Sequence, residues 1–277
     1  MDDLVLSKED YEEPRCPLAK PGRTEPIPLD RVIAKLDEYL GRKEFPAAER
    51  HLRYWRDEAE ASGDLRGKLS ILNELIGFYR KTERKEAALG ASAEALALAE
   101  SLELGQSVTM GTTLINAATA YKAFGAPAQA LPLYERARTL YESLLSPDDS
   151  RLGGLYNNMA LALTELGEYR RAEALYRRAL EVMEKAPRGA LETAITWCNL
   201  ADLSCAELGQ EAGEARISAC LDKAQTLLDD DTLPRNAYYA FVCEKCAPTF
   251  AYYGFFRAAQ ALSRRAEEIT RQLQRAD

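Results

Sequence analysis

One segment of the chain repeats itself. LYNNMALALTELGEYRRAEALYRRAL, residues 155–180, superposes without a gap on TLINAATAYKAFGAPAQALPLYERAR, residues 113–138. The match places Asn158 on Asn116, Gly167 on Gly125, Ala172 on Ala130, Tyr176 on Tyr134 and Ala179 on Ala137, always 42 residues apart. Weaker copies lie on either side: LNELIGFYRKTERKEAALGASAEAL, read through Asn73, Phe78 and Ala87, and WCNLADLSCAELG, read through Asn199, Ala201 and Gly209. The ends add KLDEYLGRKEFPAAERHLRYW, with Phe45, Ala48, Leu52 and Trp55, and TFAYYGFFRAAQALSRRAEEI, with Gly254, Phe256, Ala259 and Ala266. A unit this short cannot bury its apolar face alone, so the copies must stack and share a core.

Each unit reads as two helices and a tight turn. In the best copy Leu155, Met159, Leu163 and Leu166 form one stripe, Gly167 permits the turn, and Ala172, Tyr176 and Ala179 follow at i, i+4 and i+7 of a second helix. The alanines let the helices approach and the tyrosine fills the gap. The sequence of places held by Tyr156, Met159, Ala160, Leu163, Gly167, Tyr169, Ala172, Tyr176 and Ala179 resembles the tetratricopeptide repeat.

A period of 42 exceeds that family's minimal 34 by about one extra turn per helix. Together with YNNMALAL and ALPLYERA, it resembles the kinesin light chain subtype. The resemblance covers about 29 to 273 and weakens where Thr82 stands for the turn glycine, where Glu94 stands for a helix alanine, and where QEAGEARIS inserts residues. It implies an all-α fold, a right-handed α-solenoid of about six helix–turn–helix units. Their approximate limits are 29–63, 64–106, 107–149, 150–189, 190–235 and 236–277. Residues 1–28, with Pro14, Pro17, Pro21, Pro26 and Pro28 among charges, read as an extended or disordered tail.

Composition narrows the function classes. A net charge of −8 argues against general affinity for nucleic acid or anionic lipid. No apolar run approaches the eighteen or so residues of a membrane span. MDDLVLSKEDYEEP is acidic where a signal peptide is basic, and six cysteines in 277 residues are too sparse for a disulfide scaffold. The expected compartment is the cytoplasm.

The polar residues of the first helices point to binding. Asn is roughly 0.6 kcal/mol worse than Ala inside a helix, so the adjacent pair Asn157 and Asn158 needs a reason. In stacked hairpins a polar residue at a fixed place becomes a ladder along a groove, and Asn73, Asn116, Asn158 and Asn199 are assigned to that ladder. An amide offers two donors and two lone pairs, which suits the backbone of an extended peptide, and the resemblance implies the same use. The alternative is that each amide bonds a neighbouring helix. By the same count Leu69, Leu72, Tyr79, Arg80, Lys122, Asn157, Thr164, Asp202 and Lys245 flank the ladder; Arg80, Lys122 and Lys245 suit a carboxylate-bearing ligand.

Catalytic constellations are not evident. His51 is the single histidine, and no phosphate-binding glycine loop appears, SRLGGLYNN lacking both the lysine and the strand. Cys243-x-x-Cys246, with Cys198 and Cys205 upstream, has zinc or redox spacing, but it lies in a predicted helix and reads better as packed thiols. The sequence therefore predicts neither metal nor cofactor, and no enzyme. It predicts an adaptor that binds an extended peptide; the alternative is a ligand-sensing or regulatory helical-repeat module. The absence of an accompanying catalytic or DNA-binding domain favours the adaptor. The expected partner is a protein or peptide, and the chain's own tail, acidic around Tyr11-Glu12-Glu13, is a candidate occupant of the groove.

Overall fold

The structure, a computed structural model, describes residues 26–187 and 189–276. Most of the Pro-rich tail, with Cys16 and Tyr11-Glu12-Glu13, lies outside the described residues, and so does any docking of it. Among the described residues there are twelve helices and no strand, in six consecutive pairs. They are α1 (Leu29–Gly41) with α2 (Phe45–Ala61), α3 (Leu65–Lys81) with α4 (Lys85–Ser101), and α5 (Val108–Ala123) with α6 (Pro127–Leu144). There follow α7 (Ser150–Glu165) with α8 (Tyr169–Met183), α9 (Ala190–Leu208) with α10 (Gln210–Leu228), and α11 (Ala237–Tyr252) with α12 (Phe256–Ala276). Two compact units divide between Ala120 and Tyr121, within α5.

The turns explain the repeat. Five of the six pairs join through a residue in the left-handed region, at Lys43, Glu83, Gly125, Gly167 and Gly254. In each, the next N–H closes back on the helix just ended, as from Glu168 to the Leu163 carbonyl (2.9 Å) and from Arg84 to that of Tyr79 (2.8 Å). This satisfies carbonyls that a helix end leaves unbonded. The residue standing for glycine in the second pair is thus Glu83 (φ 59°), and Thr82 lies at φ −96°.

That single slip corrects the α3–α4 pair throughout. Glu83, Gly125 and Gly167 are each 42 apart, so the buried place shared with Ala130 and Ala172 belongs to Ala88, while Ala87 is only half-buried. The place shared with Ala137 and Ala179 belongs to Ala95, and Glu94 replaces no alanine. QEAGEARIS is likewise absorbed as regular helix, the start of α10. Gly209 alone links α9 to α10, and a Cβ on Gly213 would stand 3.1 Å from the Ser204 carbonyl oxygen. A side chain there would force the two helices apart.

Within the first unit Leu36, Leu52, Leu69, Leu72 and Ile76 are fully buried, and Asp64, the N-cap of α3, ties the segment before α1 to α3 by accepting from both Gly67 N–H and Ile27 N–H (2.9 Å each). The second unit packs Tyr134, Tyr156 and Tyr176 among alanines, and a continuous apolar cluster runs through α9, α10, α11 and α12.

Candidate functional site

Counted from the turn residues, the asparagines fall in two registers. Asn73, Asn157 and Asn199 each stand ten residues before Glu83, Gly167 and Gly209; Asn116 and Asn158 stand nine before Gly125 and Gly167. Register alone does not decide what each amide does. Asn73 donates to the Leu69 carbonyl (3.0 Å) and the Thr113 hydroxyl (3.1 Å), and its Oδ1 accepts from Asn116 (2.9 Å), which joins α3 to α5. Asn157 is buried, and its Oδ1 accepts from the Thr196 hydroxyl (3.3 Å) and from Asn199 Nδ2 (3.0 Å), which joins α7 to α9. Asn158 is half-buried and donates to the Gly154 carbonyl of its own helix (3.0 Å). Asn116, Asn158 and Asn199 therefore share one arrangement: Nδ2 is committed to the protein, and Oδ1 has no protein partner among the described residues.

The flanking positions separate as clearly. Leu69 and Leu72 are core residues and line no open face. Tyr79 is also buried, its hydroxyl donating to Glu49 (3.3 Å) on α2. Arg80 is exposed and has no ion pair among the described residues. Lys122 stands 3.8 Å from Glu165, and Lys245 is exposed beside Glu192. The Thr164 hydroxyl donates to the Ala160 carbonyl (2.8 Å). Asp202 is exposed and accepts from the Tyr253 hydroxyl (3.0 Å).

Electrostatics mark these helices as hemmed in despite their exposure. Burial pushes the carboxyls of Glu74 on α3 and of Glu192 and Asp202 on α9 above the ordinary range; Asp37 adds repulsion at Glu74, Lys245 opposes the shift at Glu192, and the Tyr253 bond opposes it at Asp202. Asparagine spacing alone carries no sign of these carboxylates, although the acidic places on the exposed helix stripes are readable in retrospect.

The cysteines belong to the interior. Cys198, Cys243 and Cys246 lie in the α9–α12 cluster, with Cys205 and Cys220 packed against it. The Cys198 thiol is pushed well up, first by its hydrogen bond with Cys246 and then by burial. Among the described residues no three His, Cys, Asp or Glu side chains are grouped to hold a metal ion. His51 is buried on α2 and donates through Nε2 to the Val32 carbonyl (2.9 Å). No described helix is long and apolar enough to cross a membrane.

The comparisons with known proteins agree with this architecture. The tetratricopeptide repeat family model matches residues 68–143 and 151–215, just over half of the chain. No curated protein matches. Among solved structures, a P. anserina protein of nearly identical, kinesin light chain TPR-like repeats superposes with a TM-score of 0.51 at 16% identity, covering 75% of this chain and 97% of its own. BtubC (BKLC) from P. vanneervenii gives 0.51 at 20% identity, covering 89% and 92%. A Rap protein solved with Competence and Sporulation Factor gives 0.50 at 15% identity, covering 88% and 75%.

Proposed function

Because the chain belongs to the tetratricopeptide repeat family, its hairpins of the kinesin light chain-like kind, and such repeats serve as protein-interaction scaffolds, we propose that it is a non-enzymatic adaptor. In the second unit an extended peptide lies across the first helices α7, α9 and α11. The observation that carries this reading is the shared posture of Asn158 and Asn199. Each amide is anchored through its nitrogen, and the oxygen is left to accept a hydrogen bond. A peptide N–H meeting a preset amide oxygen loses little freedom on the protein side. Asn116 offers the same group in the first unit, while Asn73 and Asn157 are bonds between helices and take no part in binding.

Selection of a random library of twelve-residue peptides on the immobilised full chain, followed by titration of an enriched peptide, tests the reading. Asn158→Ala is expected to weaken binding about tenfold, about 1.4 kcal/mol, with no loss of melting temperature. Failure of any peptide to enrich, or equal affinity for wild type and Asn158→Ala, overturns it.

A further inference from the structure

Resting on that reading, we infer that the groove of the second unit seats one large apolar side chain of the bound segment on α11, against the stacked rings of Tyr238 and Phe241. Two hydrogen bonds place this face beside the amides. The Tyr238 hydroxyl, in the first turn of α11, donates to the Glu192 carboxylate in the first turn of α9. The Tyr253 hydroxyl, just past the end of α11, donates to Asp202 (3.0 Å) in the second half of α9. The two ties come in the same order along both helices, which therefore run in the same direction, and Phe241 and Lys245 lie between them. Asn199 stands seven residues after Glu192, as Lys245 does after Tyr238, so both reach one level about 10 Å along their helices.

The repeat itself does not call for aromatic residues here. Thirteen residues before the turn residues Glu83, Gly125 and Gly167 stand Ser70, Thr112 and Gly154; thirteen before Gly254 stands Phe241. Phe241 is 50% exposed and Tyr238 41%, so packing in the core does not account for them. Yet the pair is held in place. The rings stack with centroids 6.1 Å apart and planes 23° from parallel, and the Tyr238 hydroxyl is fixed by Glu192. One exposed apolar residue on a surface needs no explanation, but two stacked, tethered rings beside the amide row form a preset apolar floor.

The spacing suits an extended segment. A peptide that gives an N–H to Asn199 Oδ1 and continues across α11 passes at the level of Lys245, four residues or about 6 Å along the helix from Phe241. That gap is the reach of one large side chain. Alternate residues of an extended chain point to the same side at intervals of roughly 7 Å, so one of them turns toward the rings while the main chain keeps its bond to the amide. The division of labour follows. Amide oxygens read the main chain, which every peptide has, and the rings on α11 choose the side chain, favouring one that is large and apolar.

The same peptide selection provides the test, read this time for side chains. Enriched peptides are expected to carry a large apolar residue at a fixed position. Affinity should fall at least tenfold in Phe241→Ala and severalfold in Tyr238→Phe, which keeps the ring and releases it from Glu192, and both variants should melt within a degree or so of wild type. Replacing the apolar residue of the peptide by alanine should abolish the difference between wild type and Phe241→Ala, a coupling that a general loss of structure would not produce. A consensus with no fixed apolar position, or affinity indifferent to both substitutions, overturns the apolar seat. If such peptides still depend on Asn158, the groove reading stands without it. If no peptide enriches, both fall.

Discussion

Two adjacent asparagines in α7 do two different things, and the difference is a matter of one residue's rotation, about 100° around the helix. Asn157 points into the contact with α9, where it holds Thr196 and Asn199; Asn158 turns to the open side and bonds only Gly154. Asn157→Ala is therefore expected to cost about 1 to 3 kcal/mol in urea unfolding, since it strands the Asn199 amide in a part-buried contact, while the Thr196 hydroxyl keeps its bond to the Glu192 carbonyl (2.9 Å). Asn158→Ala should lie within about 0.5 kcal/mol of wild type, as a half-exposed position does. The reverse order would mean that the two roles are exchanged. At the same scale, burial holds His51 below its ordinary pKa of 6.5, the Lys35 charge acting in the same direction and the Val32 carbonyl against it. The unfolded chain thus binds a proton at a pH where the folded chain does not. Stability from this source is complete above about pH 6.5 and declines as pH falls below it. Raised carboxyl pKa values at Glu74, Glu192 and Asp202 act oppositely, at lower pH, because there the folded state holds the extra proton. The informative measurement is a comparison of unfolding midpoints at pH 7 and pH 5.5. The drop should be smaller in His51→Gln than in wild type, and an equal drop would show that His51 is protonated in the folded state.

At the scale of the helix, the positions that read most easily were those where backbone geometry leaves little choice. Gly125 and Gly167 lie in the left-handed region, and the alanines 42 residues apart are where second helices bury their closest contacts, so turn and contact announced each other in the sequence. The second pair was harder to read because its turn carries an ordinary side chain. With Glu83 in place of glycine, the asparagines suggest a register that sets Asn73 opposite Asn116, one residue out, and that shifts every later place in the α3–α4 pair. Asn73 and Asn116 do meet, as partners in a hydrogen bond between α3 and α5 and not as equivalent places of two repeats. A left-handed conformation costs a residue with a Cβ roughly 1 to 2 kcal/mol, part of which glycine returns through its freer unfolded state. Glu83→Gly should consequently raise stability by about 1 kcal/mol, seen as a higher denaturant midpoint at unchanged slope; no gain would mean that the Glu83 side chain makes a compensating contact. Ala172→Leu should do the opposite, overpacking the contact of α8 with α7 by about 1 to 3 kcal/mol. The candidate binding face was only partly legible for a related reason. Periodicity identifies which residues leave the core, but the state of each amide depends on whether a hydroxyl such as Thr113 or Thr196 stands on the next helix, some forty residues away.

Taken as a whole, a stacked array has no single core whose loss unfolds everything, and its ends are defined by what covers the last apolar face. In the second unit that cover is α11 and α12. Val242, Cys243, Cys246 and Phe250 of α11 complete the cluster begun by Ala194, Cys198 and Ala201 of α9 and by Ile217, Leu221 and Leu228 of α10. The same two helices finish α10 chemically. The Leu228 carbonyl, at the C-terminus of α10, accepts from the Tyr239 hydroxyl (2.8 Å), from Arg265 (3.2 Å) and from Arg235 (3.3 Å), and Arg265 also pairs with Asp229 (2.7 Å). Cations at that end meet the negative pole of the helix dipole and bond carbonyls that would otherwise be orphaned. Ending the chain at Asn236 removes Tyr239 and Arg265 together with the apolar cover. The expected outcome is therefore not a shorter protein of equal behaviour but one that self-associates, since several large apolar side chains on α9 and α10 become a contiguous exposed patch. Light scattering coupled to size exclusion should show a mass that rises with concentration for the truncated chain. Arg265→Ala in the full chain should lower the melting temperature without changing the mass, because it removes the helix-end bonds and leaves the cover in place. A truncated chain that stays monomeric and melts where wild type melts would mean that α9 and α10 are stable without α11 and α12, and that the cluster uniting them is not what holds this end of the array together.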